Sequence, residues 1–78
     1  MAHLTAHAGK LRGGDVVRLD CGFDPAIPLN EYREAVVEID GIGEPFVVFD
    51  GRFEPLRRHA NRSGNFYFGV KLVHQANH

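Results

Sequence analysis

Apolar and polar residues alternate with a period of two along several short stretches of this chain. Near the C-terminus Phe66, Phe68, Val70, Leu72 and His74 fall on one side of an extended backbone. Asn65, Tyr67, Gly69, Lys71 and Val73 fall on the other. Such alternation marks a strand with one buried face, and Gly69 marks a bulge or a bend within it. Residues 15–20 (DVVRLD), 35–40 (AVVEID) and 45–50 (PFVVFD) are equally short and rich in β-branched or aromatic side chains. Turn chemistry separates them. Asp40-Gly41-Ile42-Gly43-Glu44 joins two of the strands as a hairpin loop, and Asp50-Gly51-Arg52 leads through a tight turn into a strand at 53–56.

The segment 30–39 (NEYREAVVEI) fits two templates. Tyr32, Ala35, Val36 and Ile39 form a helical stripe, and Asn30 is a helix-capping residue. The β-branched Val36, Val37 and Ile39 and the closing Asp-Gly favour a short helical turn at 30–33 and a strand from about 34. The pattern therefore predicts an all-β chain of five strands, with a long loop at 21–33 containing Pro25 and Pro28. The core is expected from Val16, Leu19, Val37, Ile39, Val47, Phe49, Phe66, Phe68, Val70 and Leu72.

A length of 78 residues allows one small domain, 1–78, with tails at about 1–8 and 75–78. The GGDVVRL opening and the later EPFVVFDGRFEPL resemble strands of SH3-like barrels. The resemblance implies a small five-stranded SH3-like barrel or a strongly bent antiparallel sheet, and it implies no function. The longest apolar run, at 45–49, is too short to span a membrane, so no membrane partner is expected. No apolar run near the start has the length of a secretory signal, and the lone Cys21 has no partner for an internal disulfide. The expected location is the cytoplasm.

Net charge is −1, but the charges are segregated. Residues 31–55 hold seven acids and two arginines, whereas Arg57, Arg58, Arg62 and Lys71 make residues 56–78 purely basic. Two fields of opposite sign would follow, unless neighbouring strands interleave the segments and cancel them.

The candidate chemistry is sparse. His3 and His7, and likewise His74 and His78, are four apart, but neither pair sits in a convincing helix; no metal site is expected there. Cys21, His59 and Asp20 or Asp24 can be drawn as a nucleophile, base and orienter, but no local motif supports them. Phosphate-binding glycine loops are absent. We therefore expect neither an enzyme nor a cofactor. The strongest hint is 56–71 (LRRHANRSGNFYFGVK), where Arg57, Arg58 and Arg62 lie near Tyr67. Arginine and tyrosine recur at protein-binding hot spots, and the same residues can serve phosphates and unpaired bases.

The reading that fits best is a protein-binding module, a monomer or weak homodimer. Its partner-binding residues would be Glu31, Glu34, Glu38, Arg57, Arg58, Arg62 and Tyr67. Its narrowest form is a phage or mobile-element inhibitor of the anti-CRISPR kind. There the acidic stretch would cover the basic surface of a nucleic-acid-handling complex. The alternative is a small β-barrel that binds single-stranded nucleic acid through Arg57, Arg58, Arg62 and Tyr67. Free nucleic acid is expected to bind weakly at so low a net charge.

Overall fold

The computed structural model describes residues 7–76. It is mostly β, with six strands: β1 Val16–Asp20, β2 Tyr32–Val36, β3 Glu38–Ile39, β4 Pro45–Phe49, β5 Arg52–Pro55 and β6 Val70–His74. They form two three-stranded antiparallel sheets, ordered β2-β1-β6 and β3-β4-β5. Val37 is the joint between β2 and β3. Its N–H donates to the Asp15 carbonyl (2.7 Å), its carbonyl accepts from Gly14 (2.9 Å), and its side chain is buried. One extended segment thus serves both sheets.

The five-stranded barrel expected from the sequence is not closed. No ladder joins β5 to β6, because the 3-10 turn Leu56–His59 and the loop after it lie between them. The helical turn expected at 30–33 is replaced by a hydrogen-bonded turn from Pro28 to Glu31 (3.0 Å), and β2 begins at Tyr32. A second 3-10 turn covers Ala8–Lys10. Both hairpins are present. Asp50 and Gly51 have φ of 49° and 76°, the left-handed pair that a two-residue hairpin needs.

The core lies between the inner faces of the two sheets. Val17 and Leu19 from β1, Ala35 from β2, Val47 and Phe49 from β4 and Val70 from β6 point into it. Phe66 and Leu72 pack against its rim as partly buried residues, and Val16 is half-buried. Two expected core residues lie outside. Ile39 is 40% exposed at the end of the short β3, and Phe68 is 86% exposed. Phe68 leaves the core because the last strand starts only at Val70. Gly69 has φ 91°, which breaks the alternation, and Phe66 makes only an isolated bridge to Ala60.

Ala8, Leu11, Phe23, Ile27 and Leu56 fill the core instead, all from turns and loops. Parts of the expected tails are built in. His7 bridges to Asn65, Ala8 donates to the Gly64 carbonyl (2.7 Å), and Ala76 N–H donates to Asp15 Oδ1 (2.8 Å). Asp15 is buried and uses its other oxygen to accept from Arg12 N–H (2.8 Å), so it ties the chain end to the entry of β1. His3 and His78 lie outside the described residues. Among those described, no helix is long and apolar enough to cross a membrane.

Candidate partner-binding surface

The Arg57, Arg58, Arg62 and Tyr67 segment is a fixed structure. Leu56 is fully buried and anchors the 3-10 turn, which leaves Arg57 and Arg58 exposed. Arg57 Nε donates to Glu44 Oε1 in the β3–β4 loop. His59 stacks on Phe23, with ring centroids 3.9 Å apart, and its Nε2 lies 2.9 Å from Glu54 Oε2. Beyond it, Asn61 Oδ1 accepts from Ser63 N–H (2.9 Å) and Asn65 N–H (3.1 Å), the side-chain-closed turn that asparagine favours. Arg62 sits exposed at the tip. His7 clamps this loop. Its Nδ1 accepts from Gly9 N–H (3.0 Å), so Nε2 carries the proton and donates to the Ser63 carbonyl (2.6 Å).

Two rings follow. Tyr67 N–H donates to the His59 carbonyl (2.9 Å), while the Tyr67 ring is 62% exposed and Phe68 stands beside it in sequence, still more exposed. Their backbone is held because Gly69 lies directly against Gly22 and Phe23. Large apolar side chains presented on an anchored loop mark a candidate contact surface.

The acidic residues lie elsewhere. Glu31 pairs with Arg33 (3.2 Å) at the start of β2. Glu34 is exposed on the outer side of β2, in register with Arg18, which in turn pairs in register with Lys71. Glu38 is exposed in β3, opposite Phe46. The structure does not gather these acids with the arginines of 57–62.

Nor does the charge segregation survive folding intact. Arg57 of the basic segment binds Glu44 of the acidic one, and His59 lies 2.9 Å from Glu54, whereas Arg33 reaches Asp50 (3.6 Å) within the acidic segment and Arg52 binds Asp24 of the long loop. Arg18 lies over the Tyr32 ring, 4.2 Å from its centroid. Among the described residues Lys10, Arg12, Arg58, Arg62 and Lys71 make no ion pair, so the remaining unpaired cations are outside the acidic segment.

The Asp24–Arg52 pair fastens the long loop to β5. The Ala26 N–H, which donates to Asp24 Oδ1 (2.9 Å), and the Arg52 guanidinium hold the Asp24 carboxyl below its ordinary 3.8. Folding thus favours the charged form. The resulting stability is present above the ordinary value and is lost as pH falls through the lower folded one. Urea midpoints measured below pH 3.8 should fall less steeply for Asp24→Asn than for the parent chain; equal slopes would count against this assignment.

The drawn trio of Cys21, His59 and an acid is not what the geometry builds. His59 directs Nε2 to Glu54, its ring lies on Phe23, and Asp24 is engaged by Arg52. Sequence reading missed Phe68 as a surface ring. The available signal was Gly69, whose freedom to turn the chain ends the alternation before it reaches Phe68. No family model matches the chain, and neither a curated protein nor a solved structure shows significant similarity to it.

Proposed function

We propose that this chain is a non-enzymatic protein-binding module, built on an open version of an SH3-like barrel, that engages an acidic protein surface through Tyr67, Phe68, Arg58 and Arg62. The carrying observation is the pair of exposed rings on an anchored backbone, with Tyr67 bonded to the His59 carbonyl that follows Arg58, and with Arg58 and Arg62 exposed and without ion pairs among the described residues. Aromatic anchors that are already rigid lose little conformational freedom on binding, and arginine supplies directed polar contacts at the rim. The shared bent segment 32–39 and the 3-10 turn before the last strand support the SH3-like reading of the scaffold.

The narrower form, a phage or mobile-element inhibitor that covers a basic nucleic-acid-binding surface, assigns the contact to Glu31, Glu34 and Glu38. Their exposed positions are compatible with it. A second reading gains from Phe68. Two exposed rings rather than one follow the loop that carries Arg58 and Arg62, a composition that a single-stranded nucleic-acid site would use.

One experiment separates these readings. The chain is immobilised and exposed to nuclease-treated lysate of the cells that encode it. The reading expects a protein partner to be retained, and Tyr67→Ala to speed its dissociation by about 30-fold, the size of a typical hot-spot loss. Retention abolished by Glu31→Lys, Glu34→Lys and Glu38→Lys together, but not by Tyr67→Ala, would move the site to the acidic face. Tight oligonucleotide binding whose salt slope falls by about one unit for each arginine removed would replace the protein partner with nucleic acid.

A further inference from the structure

We propose that the outer edge of β6 is a docking strand for an extended, acidic segment of the partner protein, which adds to the β2-β1-β6 sheet as a fourth strand. The inference deepens the protein-binding reading above and rests on it.

The backbone phase sets which groups are free. Asp20 N–H donates to the Gly69 carbonyl (3.0 Å), and the register then runs Leu19↔Val70, Arg18↔Lys71 and Val17↔Leu72, after which a bulge at Val73 sets Val16 opposite His74 and ends the regular edge. In an antiparallel ladder, hydrogen-bonded and non-bonded pairs alternate. Arg18 and Lys71 therefore exchange the next pair of bonds, while Val70 and Leu72 direct their N–H and C=O groups away from β1. Among the described residues β6 ends its sheet, and no backbone bond outside the strands uses those groups. Such an edge pairs readily with another extended chain, the main-chain bonds giving affinity and alternate side chains giving selectivity.

The charge around the edge chooses the occupant. Lys71 is exposed and makes no ion pair among the described residues; its register neighbour Arg18 is already taken up by Asp20 (3.9 Å) and by Glu34 opposite it on β2, so Lys71 is the free charge beside the edge. Gln75 and Ala76, which follow β6, line an open cleft of about 490 Å³ together with Lys10 and Arg12. The acid in that cleft, Asp15, already accepts from Arg12 N–H and Ala76 N–H. A strand with an acidic side chain opposite Lys71 gains a favourable cross-strand pair. A second copy of this chain would instead bring two Lys71 side chains onto one face of the joined strands. The edge also begins directly after Tyr67, Phe68 and Gly69, so an occupant of the edge is continuous with the ring site.

The test uses the full chain, labelled with 15N, and two capped heptapeptides that alternate valine with glutamate or valine with lysine. The glutamate peptide should shift the Val70 and Leu72 amide signals and slow their hydrogen exchange. It should bind about fivefold more tightly than the lysine peptide, and Lys71→Glu should reverse that order. Amides of Val70 and Leu72 that exchange slowly at every concentration without peptide would overturn the proposal, since the edge would already be covered. Slow exchange that grows with protein concentration, together with a dimeric mass, would overturn it in favour of a second copy. If the peptides leave both amides unmoved while Tyr67→Ala still releases the partner, the edge proposal fails and the ring site stands. If the peptides bind as expected but Tyr67→Ala releases nothing, the edge stands and the ring assignment fails.

Discussion

Gly69→Ala is expected to abolish the folded state. Gly69 has φ 91°, a backbone conformation that an L side chain adopts only with strain. A Cβ at that position would overlap the Phe23 amide nitrogen and the Gly22 carbonyl carbon, and would sit 2.6 Å from Phe23 Cα. These are backbone atoms and cannot swing aside. Relief would require the long loop to lift from β6, which removes Phe23 from between Phe49 and His59. The loss should be about 4 kcal/mol or more, comparable with the whole stability of so small a domain. Gly43→Ala is the matched control. Gly43 has φ 87°, but nothing lies within 4 Å of its would-be Cβ, so only the backbone strain of about 1–2 kcal/mol should appear. Urea unfolding of both variants measures the difference. Equal losses would show that the packing of Gly69 against the loop contributes nothing.

Leu56→Ala should destabilise the chain by about 2–5 kcal/mol, whereas Phe68→Ala should stay within about 0.5 kcal/mol. Leu56 is fully buried although it belongs to a 3-10 turn, and its side chain joins the same core as Val47 and Phe49. Truncation there leaves a cavity. It also loosens the turn that presents Arg57, Arg58 and the His59 carbonyl to which Tyr67 is bonded. Phe68 has the larger side chain but lies in solvent. Thermal and urea midpoints on the two variants would decide the matter. A large loss from Phe68→Ala with a small one from Leu56→Ala would return the last aromatic to the core and remove it from the proposed contact surface.

The hairpins and the inner strands could be read from the sequence because their causes are local. The alternation Val16-Val17-Arg18-Leu19 places Val17 and Leu19 on one face whatever the partner strand is, and the same holds for Pro45 to Phe49. Asp50-Gly51 fixes a two-residue turn because few other pairs accept positive φ at both positions. Long-range docking decided the rest. Phe23 and Ile27 belong to a loop that carries turn signals, and they are core only because that loop folds onto β5 and His59 through Asp24–Arg52 and the ring stack. Phe68 continues a perfect alternation, yet it points outward because Gly69 packs against Gly22. The acidic and basic segments look separate along the chain, but strand register sets Glu34 beside Arg18 and loop contact sets Glu44 on Arg57. Sequence thus determined the faces of single strands and the turns between neighbours, which depend on a few adjacent dihedrals. Which loop residues are buried, which ring is exposed and which charges cancel depended on segments tens of residues apart, and only tertiary packing brings those together.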